Sequence, residues 1–218
     1  MECKAAVFDM DGTLIDSLKV WNVLWAKFGE KYLNSKDFRP TPEDDKKVRT
    51  LTLKDAMELI HGNYSIGESG EELLIFANRV MADFYQNEVQ LKNGVRDFLE
   101  HLKGSNVKMC VATATAMDLV ELAMEHCDLK KYFLKVFSCG TIGKGKDQPD
   151  IFLLARDYLG EEPEQTWLFE DSLVAIETAT KIGMPTVAIY DEFNYGQDRM
   201  KEIATYYIGQ GETLLKLL

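Results

Sequence analysis

Two acids one residue apart, Asp9 and Asp11, close the short uncharged run Ala5-Ala6-Val7-Phe8 and are followed at once by Gly12. Carboxylates this close repel one another unless a cation sits between them, and Mg²⁺ is a hard cation that takes such oxygen ligands. A D-x-D pair also arises by chance in ordinary loops, so its meaning depends on what else the chain supplies. Three further stretches could do chemistry. Thr113-Ala114-Thr115-Ala116 is a hydroxyl-rich turn. It either caps a helix or holds phosphate through a hydroxyl and free backbone N–H groups. Lys144 and Lys146 lie between and after glycines, ahead of Pro149-Asp150-Ile151-Phe152. Such lysines mark an exposed loop or a cation for an anionic ligand, and the spacing is not that of a P-loop. Glu170 and Asp171, before Ser172, are either a helix N-cap or a second pair of metal-binding acids.

These groups need elements to position them. Residues 5–8 carry β-branched and aromatic side chains and no charge, which predicts a strand buried on both faces, with Asp9 and Asp11 at its C-terminal edge. Apolar periodicity predicts helices over 17–30, with Asp16 or Ser17 as cap, and over 53–60 and 71–85. Between them, 31–54 is densely charged and holds Pro40 and Pro42, so a helix stops or breaks there. No strand pattern lies between Leu18 and Gln90, which predicts an all-helical insertion. Strands are then expected at 107–112, 135–138, 166–169 and within 185–190, alternating with helices at 95–102, 118–126, 149–159 and 172–182. This alternation predicts an α/β fold, a doubly wound and mostly parallel sheet. Each of the four chemical stretches follows a predicted strand, where open α/β sheets bind ligands.

The run from Phe8 to Ser17, Phe-Asp-Met-Asp-Gly-Thr-Leu-Ile-Asp-Ser, resembles the first signature of the haloacid dehalogenase-like hydrolases, in their phosphatase and phosphomutase branch. The resemblance extends over the chain and implies a Rossmann-like core, residues 1–16 and 91–218, interrupted by a helical cap at 17–90. It implies that Asp9 is a nucleophile forming an aspartyl-phosphate and that Asp11 is the general acid and base. Thr113, the Ala114 amide and Lys146 would hold the phosphoryl group, with Thr115 and Lys144 as weaker candidates. Mg²⁺ would be bound by Asp9, the Asp11 main-chain carbonyl and Asp171, with Glu170 acting through water or as an occasional ligand. The match has departures: Asn93 stands where a proline often precedes the glycine, Asp147 replaces the usual proline after the lysine, and Ala175 takes a glycine position.

The resemblance implies a magnesium-dependent phosphatase acting on a small phosphomonoester. Dehalogenase relatives lack the second aspartate, so Asp11 argues against carbon–halogen cleavage. The alternatives are a sugar phosphomutase similar to β-phosphoglucomutase and a non-enzymatic ligand-binding protein of the same fold. Against the mutase, Trp21 stands where that relative carries a histidine, and residues 41–54 show no counterpart of its cap loop. Lys46, Lys47 and Arg49 either recognise an anionic substrate or form a solvated face. A formal charge of −11 disfavours a nucleic-acid duplex or an anionic membrane as partner and leaves a small phosphorylated metabolite open. The four cysteines show no metal-like spacing, and Cys3, Cys110 and Cys139 are expected in the core. No signal peptide and no apolar segment of about 18 residues are evident, which predicts a cytoplasmic protein.

Overall fold

The computed structural model describes residues 3–49 and 51–218, so Met1 and Glu2 of the expected core and Thr50 of the charged segment lie outside it. It forms two compact units: the chain up to Leu18 together with Val89–Leu218, and Lys19–Glu88.

The first unit is built on six strands, β1 (Ala5–Phe8), β2 (Lys108–Thr113), β3 (Val136–Ser138), β4 (Thr166–Glu170), β5 (Thr186–Ile189) and β6 (Tyr206–Ile208). All pair in parallel, in the order β3-β2-β1-β4-β5-β6, which is the Rossmann-like arrangement. Every residue of β1 is fully buried because both faces of the sheet are covered. Ala5 and Val7 join a cluster with Cys110, Leu168, Phe152 and Ala179, the last two contributed by the helices Asp150–Leu159 and Leu173–Lys181. Phe8, one residue on, turns to the opposite face, as period-two alternation requires. There it stacks on Phe169 at 4.4 Å and meets Phe98 edge-on at 6.4 Å. The strand order reverses direction at β1, with β2 on one side and β4 on the other, and ligands bind at such switch points, beyond the strand C-termini.

The second unit has helices and no strand among its described residues: α1 (Val20–Leu33), α2 (Pro42–Val48), α3 (Leu53–Tyr64) and α4 (Gly70–Asn87). Trp25, Phe28 and Leu24 of α1 are buried, and Phe28 stacks on Phe76 of α4 at 5.8 Å. Thr41, Thr52 and Ser69 each accept a hydrogen bond from the backbone N–H three residues on, capping α2, α3 and α4.

Several expectations are corrected. The first helix starts at Val20 rather than residue 17, because the Ser17 hydroxyl donates to Asp11 at 2.6 Å instead of capping a helix, and the Asp16 N–H donates to Gln90 O. The first helix does stop in the charged segment, at Leu33 with Asn34 left-handed behind it, but the segment also holds α2, whose Pro42 sits in the first turn, where a missing N–H costs no intrahelical bond. β6 and the helix Gln197–Ile203 were not expected from the sequence, being too short to show periodicity. Cys3 is only half-buried, whereas Cys127 is buried, as are Cys110 and Cys139.

Candidate active site

The parallel register carries the candidate residues to one edge of the sheet. Asp9 follows β1 directly, and its N–H donates to Phe169 O at 2.9 Å, continuing the ladder to β4. Glu170 ends β4 and Asp171 follows it, so three carboxylates from two neighbouring strands converge. One oxygen from each of Asp9, Glu170 and Asp171 lies within 4.8 Å of the others, and all three residues are buried. Lys146 reaches into this group, ion-paired with Asp9 and with Glu170 at 2.8 Å. Lys144 turns away and pairs with Asp150 at 2.6 Å on the surface.

Burial sets the electrostatics. It pushes the Asp9 carboxyl up, Lys146 pulling the other way and Asp11 adding to the rise. Burial, then the charge of Asp9, raises Glu170 to about 8 against the pull of Lys146. Asp171 is raised well above the carboxylate range by burial, then by Asp9 and Glu170. Burial alone would lower Lys146, but the two acids beside it hold it above the ordinary lysine range. Among the described residues, one ammonium group thus contacts two of these three buried acids, Asp9 and Glu170, and none contacts Asp171. A hard dication fits the remaining deficit, because the donor set is all oxygen and its charge would relieve the repulsion that raises these acids. Asp9, Asp171 and Glu170 are the side chains able to hold it.

Asp11 is arranged differently. Its two oxygens accept from separate hydroxyls, Ser17 Oγ at 2.6 Å and Thr115 Oγ1 at 2.7 Å. Thr115 therefore contacts Asp11, and the Thr115 N–H donates to Thr113 Oγ1 at 3.0 Å. Ser138, at the end of β3, steadies this turn by donating to Thr115 O at 2.9 Å. Thr113 is buried as the last residue of β2, and Ala114 is exposed just beyond it. Gly12 takes a positive φ of 78°, and a side chain there would collide with the Asp171 carboxylate. The glycine after the acid pair is thus required both by the turn and by the close approach of Asp171.

Thr13, inside the first signature but given no role there, and Asn194, Lys92 and Asp191, outside every motif, also contribute. Thr13 Oγ1 donates to Asp171 Oδ1 at 3.1 Å, and Asn194 donates its amide to Asp171 Oδ2 and, at 3.1 Å, to Asp171 O. Lys92 donates to Gly12 O at 2.5 Å and Tyr190 O at 3.1 Å and pairs with buried Asp191 at 2.8 Å. The available signal was positional: residues 190–196 follow β5, which lies next to β4, and strand C-termini in this sheet carry the site.

Comparison with known proteins shows the family of the chain. The chain is 25% identical over 185 residues to a phosphorylated carbohydrates phosphatase of Thermotoga maritima, covering 84% of this chain and 83% of the relative. It is 31% identical over 192 residues to a Drosophila melanogaster protein named as a probable pseudouridine-5'-phosphatase, covering 85% and 80%. Among solved structures, a Thermotoga maritima protein with a provisional beta-phosphoglucomutase name superposes with a TM-score of 0.84 at 24% identity, covering 98% of both chains. CbbY of Rhodobacter sphaeroides in complex with phosphate gives 0.73 at 21% identity, covering 94% and 93%. These two likenesses show the fold. The family model for haloacid dehalogenase-like hydrolases matches residues 6–189, and the chain belongs to that family, in its phosphatase branch.

Proposed function

We propose that this protein is a magnesium-dependent phosphatase that hydrolyses a small phosphomonoester through an aspartyl-phosphate on Asp9. The observation that carries this reading is the convergence on Asp9: a buried carboxylate at the switch point of the sheet, paired with Lys146 and gathered with Glu170 and Asp171. Asp9 attacks phosphorus, forming the O–P bond as the alkoxide leaves, and Asp11 gives that alkoxide its proton. Asp11 then takes a proton from water, whose oxygen attacks the phosphoryl group and frees Asp9 with inorganic phosphate. Thr113, the Ala114 N–H and Lys146 hold the phosphoryl oxygens, since this transfer depends chiefly on positioning and electrostatics. Mg²⁺, held by Asp9, Asp171 and the Asp11 carbonyl, with Glu170 nearby, would neutralise charge on the phosphoryl group.

We assign the role of cap, which selects the substrate, to the helical unit Lys19–Glu88. The names of the relatives support a small phosphorylated metabolite as substrate, two of them being phosphatases of phosphorylated carbohydrates and of pseudouridine 5'-phosphate. A cytoplasmic setting suits the four free cysteines. No helix among the described residues is long and apolar enough to cross a membrane.

A phosphomutase is the second reading, favoured by the structural likeness to the provisionally named beta-phosphoglucomutase. Against it, Trp21 occupies the position where that branch carries a histidine, packed 5.5 Å from Trp25 and under the Arg49 guanidinium at 5.8 Å. An indole in that setting cannot relay a proton to an acceptor sugar. The test is phosphate release from a panel of phosphomonoesters with Mg²⁺ and with EDTA, together with ³¹P NMR of β-glucose 1-phosphate plus trace glucose 1,6-bisphosphate. Metal-dependent phosphate release with little glucose 6-phosphate supports hydrolysis. Rapid isomerisation with negligible phosphate release overturns it in favour of the mutase.

A further inference from the structure

Asp171 differs from Asp9 and Glu170 in having no ammonium group in contact among the described residues. Its hydrogen-bond partners are neutral: Thr13 on Oδ1 and Asn194 on Oδ2. A carboxylate oxygen can only accept, so the Asn194 side chain must present its NH₂ and not its carbonyl. The same NH₂ also reaches Asp171 O at 3.1 Å, so one amide grips both the side chain and the main chain of a single residue. The grip spans 23 positions in sequence and joins the end of β4 to the loop after β5.

That loop is built to hold its asparagine still. The Asn194 N–H donates to Asp191 O at 3.2 Å, and Gln197 Nε2 donates to Asp191 O at 3.2 Å and Asn194 O at 3.3 Å. Gln197 is in turn fixed by the Tyr207 hydroxyl at 2.8 Å, from β6. The Asp191 carboxylate accepts the Phe193 N–H at 3.0 Å and pairs with Lys92, which also grips the carbonyl of Gly12. The loop carrying Asn194 and the loop carrying Asp9 and Asp11 are therefore tied to each other through one lysine. Gly196 ends the loop at φ 79°, where a side chain would meet Leu173.

We propose that Asn194 is a positioning residue for metal binding, orienting the Asp171 carboxylate toward the dication. The inference rests on the magnesium-dependent reading given above. A neutral donor fixes the rotation of the carboxylate and supports its charged form, yet adds no positive charge to repel a dication. Lysine or arginine in the same place would compete with the metal for Asp171. With Thr13 on one oxygen and Asn194 on the other, each oxygen keeps a lone pair for the metal. Partners of metal-bound carboxylates typically change affinity about 10–100-fold when removed.

Isothermal titration calorimetry with Mg²⁺ alone tests this on the full chain. Asn194→Leu keeps the approximate shape and removes the donor, and the expected result is a dissociation constant about 10–100-fold weaker. Glu192→Gln, an exposed change in the same loop, should leave Mg²⁺ binding as in the wild type. In turnover assays, N194L should raise the half-saturating Mg²⁺ concentration by the same factor while kcat at saturating Mg²⁺ changes little. A merely structural loss would instead reduce the amount of active protein without moving the half-saturation point. Should N194L fail to fold by circular dichroism, Asn194→Ser removes the amide without placing an apolar group in a polar loop and carries the same expectation. A folded variant lacking the amide that binds Mg²⁺ within twofold of wild type overturns the proposal. Wild-type protein that itself binds no Mg²⁺ overturns the magnesium-dependent reading, and this inference with it.

Discussion

Replacing Lys146 with methionine probes the centre of the candidate site, and the structure sets the size of the effect. The Lys146 ammonium lies 2.8 Å from Glu170 and in contact with Asp9, with the lysine side chain 11% exposed and that of Glu170 1%. At 2.8 Å, two unit charges attract by about 6 kcal/mol for an effective dielectric constant of about 20, before the cost of burying the lysine is set against it. Removing one partner of a buried pair typically costs about 3–5 kcal/mol because the other charge is left uncompensated. Glu170 already lies at about 8 in the metal-free protein, so at neutral pH a proton can stand in for part of the lost charge. We therefore expect K146M to lose about 3 kcal/mol at pH 6–7 and more as the pH rises toward 9. Lys144→Met removes a surface pair with side chains 52% and 32% exposed, and should cost less than about 1 kcal/mol. Turnover should separate the variants further: K146M should fall about 10²–10³-fold, as when a donor to a developing oxyanion is removed, and K144M less than twofold. Urea unfolding with EDTA measures the first difference, and p-nitrophenyl phosphate hydrolysis at saturating Mg²⁺ the second. A K144M variant more damaged than K146M in both assays would refute the assignment of the working lysine.

Asp9→Asn should abolish turnover while leaving the circular dichroism spectrum unchanged, and near-wild-type rates for this variant would remove the covalent mechanism. Asp11→Asn should lower turnover about 10²–10⁴-fold for alkyl phosphates and much less for p-nitrophenyl phosphate in single-turnover phosphorylation, since a good leaving group needs little proton donation. Thr115→Val removes one of the two hydroxyls on Asp11 and should reproduce part of that loss; unchanged rates on alkyl phosphates would show that this hydrogen bond does not align the acid. The raised Glu170 carboxyl also makes stability depend on pH. Its folded value, about 8, exceeds the ordinary 4.5, so its contribution is complete below about 4.5 and is lost as the pH rises through about 8. Metal-free protein should therefore melt lower at pH 9 than at pH 6. Mg²⁺ should raise the melting temperature more at pH 9, where fewer protons must be displaced, and a pH-independent Mg²⁺ effect would contradict this linkage.

What the amino-acid sequence determined by itself is local. The uncharged run 5–8 reads as a strand buried on both faces because its composition is enough to say so, and the acids after it must then lie at a strand end. The same holds for Thr113 after β2 and for Glu170 and Asp171 around the end of β4, since burial patterns of single segments need no partner to be recognised. The short edge strand β6 and the capped helix α2 were not legible in this way: three residues show no period, and a charged, proline-bearing stretch hides a helix whose start depends on one threonine hydroxyl.

What only the tertiary structure decided is pairing across long separations. Thr115 meets Asp11 across 104 positions because β2 lies beside β1, a partner that its local sequence, readable as a phosphate ligand or a cap, does not announce. Lys146, which the family resemblance puts ahead of Lys144, meets Asp9 across 137 positions, a contact that the local sequence around the two lysines does not specify. Asn194 meets Asp171 because β5 is hydrogen-bonded to β4, and Lys92 joins two loops that are adjacent only once the sheet is assembled. Side-chain chemistry and local burial are written along the chain. Which donor faces which carboxylate depends on strand order, and strand order is a property of the whole sheet.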